Sequence, residues 1–172
     1  MDPRSPAVFL DRDGTLIRNV DYINDAGQVE VFPDVPEALR RLKEAGFRIV
    51  IITNQSGFAR GRVTQGQYEA VHARVLDLTG PGIHDATYVC PDFGPRRKPE
   101  PGMILEAVQD LNLDPRRSYM IGDKASDILC GRNAGTKTIF IRTGYPLDAP
   151  CEPDFIATNM TEAAEWILQE RG

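Results

Sequence analysis

The sequence predicts an α/β fold, a three-layer sandwich in which helices cover both faces of a central, mainly parallel sheet. Three observations carry that expectation. Short apolar runs alternate with helical patterns from end to end, and such alternation builds crossover units. The first run, Ala7-Val8-Phe9-Leu10, is apolar at every position, as a strand covered on both faces must be. Polar residues gather just past the ends of these runs, where open α/β sheets collect their reactive groups.

The elements follow in order. After the first strand, Asp34 is placed to cap a helix over about 35 to 45, with Pro36 in its first turn, Leu39 and Leu42 inward and Gly46 closing it. Phe47 to Ile52 is a β-rich apolar run. Thr64 and Gln67 form a capping-box pair ahead of Val71, Val75 and Leu78, which predicts a second helix over about 65 to 78. Thr87-Tyr88-Val89-Cys90 reads as a strand, and Pro101 opens a helix carrying Ile104, Leu105 and Val108. Ser118 to Ile121 is the next strand, followed by a short helix near 125 to 134. Thr138 to Ile141 and Phe155-Ile156-Ala157 complete the strands. Thr161 caps a last helix that turns Ala163, Trp166 and Ile167 inward. The stretch from Tyr145 to Pro153 is a connection within one domain, and no internal repeat or low-complexity linker is present.

Composition narrows the function classes. The 172 residues suit a single domain, residues 1–172, with a sizeable core, and 41% apolar with 26% charged residues is ordinary globular usage. A net charge of −5 and a pI near 5.1 argue against nucleic acid or an anionic membrane as partner. No apolar stretch approaches the ~18 residues that span a bilayer, and Met1-Asp2-Pro3-Arg4 lacks the apolar part of a secretory signal. Cys90, Cys130 and Cys151 are odd in number and in no metal or disulfide spacing, which fits reduced thiols and a cytoplasmic protein. Cys90 and Cys130 are read as small core residues, and His72 and His84 as helix and loop residues without a catalytic role.

Four polar strand exits carry the chemistry. The first run ends in Asp11-Arg12-Asp13-Gly14-Thr15. A carboxylate can attack phosphorus to form an aspartyl-phosphate, while a second acid protonates the leaving oxygen. The strand ending at Ile121 leads to Gly122-Asp123-Lys124, with Asp127 four residues after Asp123, so that three carboxylates can share one magnesium ion through hard oxygen ligands. The run ending at Ile52 leads into Thr53-Asn54-Gln55-Ser56-Gly57, whose hydroxyl, amide and backbone donors can hold a phosphate. The strand ending at Cys90 leads to Arg96-Arg97-Lys98-Pro99, a lysine point charge and a planar arginine fork against anionic oxygens.

In this order the four segments resemble the motifs of the haloacid dehalogenase (HAD) superfamily of phosphatases. Wider wording, from Phe9 to Thr15, Thr53 to Gly61, Arg97 to Met103, Tyr119 to Lys124 and Arg142 to Gly144, resembles its heptose bisphosphate phosphatase branch, with histidinol-phosphate phosphatases next. The resemblance covers about Ala7 to Tyr145. It implies a Rossmann-like, HAD-type core acting on a small phosphorylated sugar, here the 7-phosphate of a heptose 1,7-bisphosphate used in surface polysaccharide synthesis. It also implies magnesium held by Asp11, Asp123 and the backbone carbonyl of Asp13; apart from the resemblance, a monomer is expected.

The same resemblance assigns roles. Asp11 is the nucleophile and Asp13 the general acid and then base, which requires its side chain to stay off the metal. Thr53 and Lys98 hold the transferred phosphoryl group. Asn19, Asp21, Tyr22, Asn54, Gln55, Ser56, Arg97 and Lys124 contact the rest of the substrate, and Asp127 orients a metal water or Lys124 from outside the ligand set. Many relatives insert a cap domain after the first or second strand, but neither interval here has room, so loops Arg18 to Phe32 and Pro91 to Arg97 alone cover the site. The branch often carries a structural zinc before its third motif. This chain has only Cys90-Pro91-Asp92 there, and one thiolate cannot supply a tetrahedral site, so a zinc-free variant is expected. A polynucleotide 3′-phosphatase, or a binding module without catalysis, are the open alternatives to a sugar or histidinol phosphatase.

Overall fold

The computed structural model describes residues 3–147 and 150–171. Met1 and Asp2, part of the signal-segment reading, and residues 148 and 149 of the connection after Tyr145 lie outside them.

Six strands form one sheet: β1 (Ala7–Leu10), β2 (Arg48–Asn54), β3 (Ala86–Cys90), β4 (Tyr119–Gly122), β5 (Lys137–Ile141) and β6 (Phe155–Ala157). Their order is β3-β2-β1-β4-β5-β6 and every pairing is parallel, so "mainly parallel" understates the sheet. Among the described residues, four α-helices lie between successive strands, α1 (Val35–Glu44), α2 (Gln65–Thr79), α3 (Gly102–Asp110) and α4 (Ala125–Asn133), and a fifth, α5 (Met160–Arg171), follows β6.

The layers follow from the two-residue period of a strand. In β1, Val8 and Leu10 join a core with Leu39 and Leu42 of α1, Val71 and Val75 of α2, and Ala163 and Ile167 of α5. Ala7 and Phe9 face the other way, against Met103, Ile104 and Ala107 of α3 and Cys130 of α4. Both faces of β1 are thus dry, which is why its sequence has no polar alternation. Trp166 is half-buried and stacks on Phe155 with centroids 5.1 Å apart. Leu105 of α3 is exposed.

Two caps differ from expectation. Asp34 precedes α1 but makes no capping bond. Its carboxylate instead accepts from the backbone N–H (2.8 Å) and hydroxyl (3.2 Å) of Thr161, tying α1 to α5. Thr161 therefore does not cap α5. That helix begins at Met160, and the Asn159 side-chain oxygen accepts from the Glu162 N–H at 2.9 Å, as a cap residue one position before the helix should. Thr64 and Gln67 do form the reciprocal box at α2.

Between β1 and β2 lie α1 and a short 3-10 turn at Ala26–Gln28, and between β2 and β3 only α2, so among the described residues no inserted domain covers the sheet. Chain order reverses between β1 and β4. The crevice beyond their carboxyl ends is where such sheets bind ligands. No helix of the described residues is long and apolar enough to cross a membrane.

Candidate active site

Parallel pairing delivers the ends of β1, β2, β3 and β4 to one edge, so residues far apart in sequence meet there. Asp11 follows β1, and its backbone N–H still donates to Ile121 of β4 at 3.0 Å. Lys98, buried at 3% exposure, reaches in from the loop after β3. Its ammonium donates to Asp11 Oδ1 at 2.8 Å, to Asp127 Oδ1 at 2.7 Å and to the Ile52 carbonyl at 2.9 Å, which uses all three of its protons.

Three carboxylates surround this one ammonium. Oxygen atoms of Asp11, Asp123 and Asp127, all buried, lie within 4.8 Å of one another. Burial opposes ionisation of Asp11, but the Lys98 charge outweighs it and holds that carboxyl below the usual range. Burial and then the neighbouring Asp11 push Asp123 up to about 9 and Asp127 up to about 6. For Lys98 burial favours the neutral amine, but Asp11 and Asp127 reverse that and raise its affinity for the proton. A cluster with more acid than base in so dry a place calls for a cation.

Two features fit a metal ion. Asp123 Oδ2 is buried with no hydrogen-bond partner. Gly14, in the left-handed region at φ 87°, keeps the space beside it open, since a Cβ there would fall 2.2 Å from Asp123 Oδ2. Thr15, which the sequence reading did not single out, places its hydroxyl 3.5 Å from Asp11 Oδ2 and 3.4 Å from Asp123 Oδ1.

Asp13 is treated differently. Its carboxylate turns to Arg12, with bonds of 3.1 and 3.2 Å, and accepts from Gln55 Nε2 at 2.8 Å. It has no part in the acid cluster, as a proton-transfer group needs. Arg12 was absent from the sequence-based site, yet it is fully buried, lies 5.4 Å from the Tyr68 ring centroid and leaves Nη1 without a partner. The available signal was its position: a charged residue directly after a strand buried on both faces.

A cavity of about 230 Å³ opens onto this centre and brings together Asp11, Asp13, Asn54, Ser56, Arg97, Lys98 and Lys124, with Ser126 and Asp127. A second of about 300 Å³ shares Asp13, Asn54, Ser56 and Lys124 with it and extends to Asn19, Asp21, Tyr22 and Gln55. Thr53 is fully buried and lines neither; its hydroxyl accepts from Gln55 Nε2 at 2.7 Å. The Asn54 amide bonds the Lys98 backbone in both directions, at 3.1 and 3.2 Å, bracing the lysine loop. The Arg97 guanidinium lies 4.9 Å from the Phe93 centroid, and Arg60 lies 5.1 Å from the same ring. Asp127 Oδ2 accepts from the Lys124 N–H at 3.1 Å, so Asp127 links the lysine, the acid cluster and the start of α4.

His72 and His84 stay out of the site. His72 contacts the Thr87 hydroxyl at 3.0 Å and His84 the Thr79 hydroxyl at 2.6 Å; burial lowers both to about 4. Cys90 and Cys130 are buried, as expected.

Comparison with known proteins agrees with this arrangement. A haloacid dehalogenase-like hydrolase family matches residues 8–70, and a HAD-hydrolase-like family matches residues 95–163. A D-glycero-D-manno-heptose-1,7-bisphosphate 7-phosphatase of Thermosynechococcus vestitus is 38% identical, over 94% of this chain and 95% of that protein. The D-glycero-beta-D-manno-heptose-1,7-bisphosphate 7-phosphatase of Escherichia coli K12 is 36% identical, over 95% of this chain and 88% of its own length. The crystal structure of a D,D-heptose 1,7-bisphosphate phosphatase from B. bronchiseptica, complexed with magnesium and phosphate, superimposes with a TM-score of 0.84 at 26% identity, covering 96% of this chain and 99% of that one. With identity at this level running nearly end to end, and with acid cluster and lysine meeting at the sheet's switch point, the chain belongs to the haloacid dehalogenase-like hydrolases.

Proposed function

We propose that this chain is a magnesium-dependent phosphomonoester hydrolase working through an aspartyl-phosphate on Asp11, and that its substrate is the 7-phosphate of D-glycero-D-manno-heptose 1,7-bisphosphate. The observation that carries the reading is Asp11 held ionised by Lys98 beside the unpartnered oxygen of Asp123. The substrate comes from relatives of that name at 34–38% identity. The 172 residues act as one catalytic domain and as a monomer.

Asp11 attacks phosphorus as the bond to the sugar oxygen breaks, and the departing oxygen takes the proton carried by Asp13. Water then attacks the phosphorus, gives its proton to the Asp13 carboxylate and frees Asp11, releasing inorganic phosphate. Arg12 and Gln55 keep the Asp13 carboxyl away from the acid cluster between these transfers. Lys98 steadies the Asp11 carboxylate and faces the transferred oxygens. Asp11, Asp123 and the Asp13 carbonyl would hold the magnesium, with Asp127 behind them, and bound magnesium would supply neutralisation of charge on the phosphoryl oxygens. Thr53 acts from behind through Gln55. Arg97 and Lys124 bind the second anionic group, and Asn19, Asp21, Tyr22 and Ser56 contact the sugar.

The test is a phosphate-release screen, with and without magnesium, over sugar bisphosphates, histidinol phosphate and 3′-phosphorylated oligonucleotides. The heptose bisphosphate should lead, only with magnesium, and Asp11→Asn should abolish release. Preference for histidinol phosphate or the oligonucleotide would overturn the substrate assignment, and release by Asp11→Asn the mechanism.

A further inference from the structure

The larger cavity contains an aromatic residue that the roles above leave unused. Tyr145 sits in the loop after β5, at the same sheet edge as the catalytic groups, and is 43% exposed. It is nonetheless fixed. Its hydroxyl accepts from Asn19 Nδ2 at 2.8 Å, a bond between loops 126 residues apart, and the Lys124 ammonium lies 5.1 Å from its ring centroid. Tyr22, 40% exposed, lines the same cavity. Its backbone is in the left-handed region at φ 49°, an uncommon and strained conformation for a bulky residue, of the kind that clusters at ligand sites. The Arg62 guanidinium lies 5.7 Å from the centroid of that ring.

Two large rings left to solvent, each held by specific contacts, cost little further ordering when a ligand arrives. Polar side chains line the same cavity, among them Asn19, Asp21 and Gln55. An apolar face combined with a hydroxyl-bonding edge suits a saturated, polyhydroxylated ring, whose C–H surfaces lie on aromatic carbon while its hydroxyls bond amides and carboxylates. We infer that Tyr145 is a specificity-determining residue: with Tyr22 it forms the aromatic walls that select the sugar body of the phosphate ester, and Asn19 positions it. The inference rests on the hydrolase reading above and adds the group that chooses the leaving alcohol.

The experiment compares kcat/KM for the heptose bisphosphate with that for acetyl phosphate, which lacks a body to fill the cavity, in the unsubstituted protein, Tyr145→Ala and Tyr145→Phe. Losing an aromatic contact should lower the sugar-to-acetyl ratio about tenfold in Tyr145→Ala, mainly through KM. Tyr145→Phe keeps the ring but not the bond to Asn19, so its ratio should fall less. An unchanged ratio, whether both esters slow together or neither does, overturns the inference. Failure of the unsubstituted protein to release phosphate from either ester would instead strike the hydrolase reading beneath it.

Discussion

Lys98 is the most informative residue to perturb, because stability and chemistry both depend on its single charge. Lys98→Met keeps much of the stem volume and removes the ammonium that Asp11, Asp127 and the Ile52 carbonyl share. Breaking a buried ion pair from one side costs roughly 3–5 kcal/mol, because the partner is left charged and dry. Asp123, already pushed up to about 9, shows that this cluster can hold a proton in place of a charge, so the lower end applies, about 3 kcal/mol. For a chain of this size each kcal/mol moves the melting point by about 2–4 °C, which predicts a fall of roughly 6–12 °C without magnesium. Three carboxylates with no ammonium among them should bind magnesium more tightly, so the ion should raise the variant's melting point more than the parent's. Phosphate release should fall about 10²–10³-fold, as when one preorganised donor is removed from developing charge. Calorimetry with and without magnesium, alongside phosphate release, reads all three effects. A variant that melts with the parent in EDTA and turns over normally would refute the reasoning.

Gly14→Ala should damage metal binding more than fold, because its Cβ would meet Asp123 Oδ2 at 2.2 Å. The magnesium concentration for half-maximal activity should rise at least about tenfold, with a stability cost of about 1–3 kcal/mol for the left-handed backbone, and an unchanged magnesium titration would contradict this. The two histidines predict an acid-side loss of stability. Each is held near 4 in the fold against 6.5 in the unfolded chain, so between those values the unfolded state binds more protons and stability falls as pH falls. Discounted for partial exposure, the loss is roughly 2 kcal/mol per histidine from pH 7.5 to 4.5; urea melts of a His72→Gln, His84→Gln double variant should show a flatter profile, and a parallel one would count against it. Arg12→Met should slow release from alkyl esters, which need a proton from Asp13, by ~10-fold or more beyond any loss on acetyl phosphate, whose leaving group needs none; equal losses on both esters would make Arg12 merely structural.

Much of this site was legible in the sequence because its parts are local. Asp11, Asp13, Lys98 and Asp123 each follow an apolar run, and a parallel sheet brings such exits together whatever the connections between them. Helix limits were legible where a cap is local, as at Thr64 and Gln67. What escaped depends on contacts without a sequence period. Asp34 has the right identity and position to cap α1, but Thr161, 127 residues away, claims its carboxylate. Tyr145 looked like part of a connection because nothing local marks its bond to Asn19. Arg12 was hidden inside its motif, since burial of a guanidinium against Tyr68 is decided by where α2 packs.

The claim that Asp11 becomes covalently phosphorylated has a direct test. Borohydride added during steady-state turnover reduces an aspartyl-phosphate to homoserine, and peptide mass spectrometry locates the converted residue. Conversion at position 11, dependent on substrate and magnesium, is the predicted result. Full turnover with Asp11 unreduced, together with inversion at an isotopically chiral phosphorus, would contradict it by showing that water attacks the ester directly.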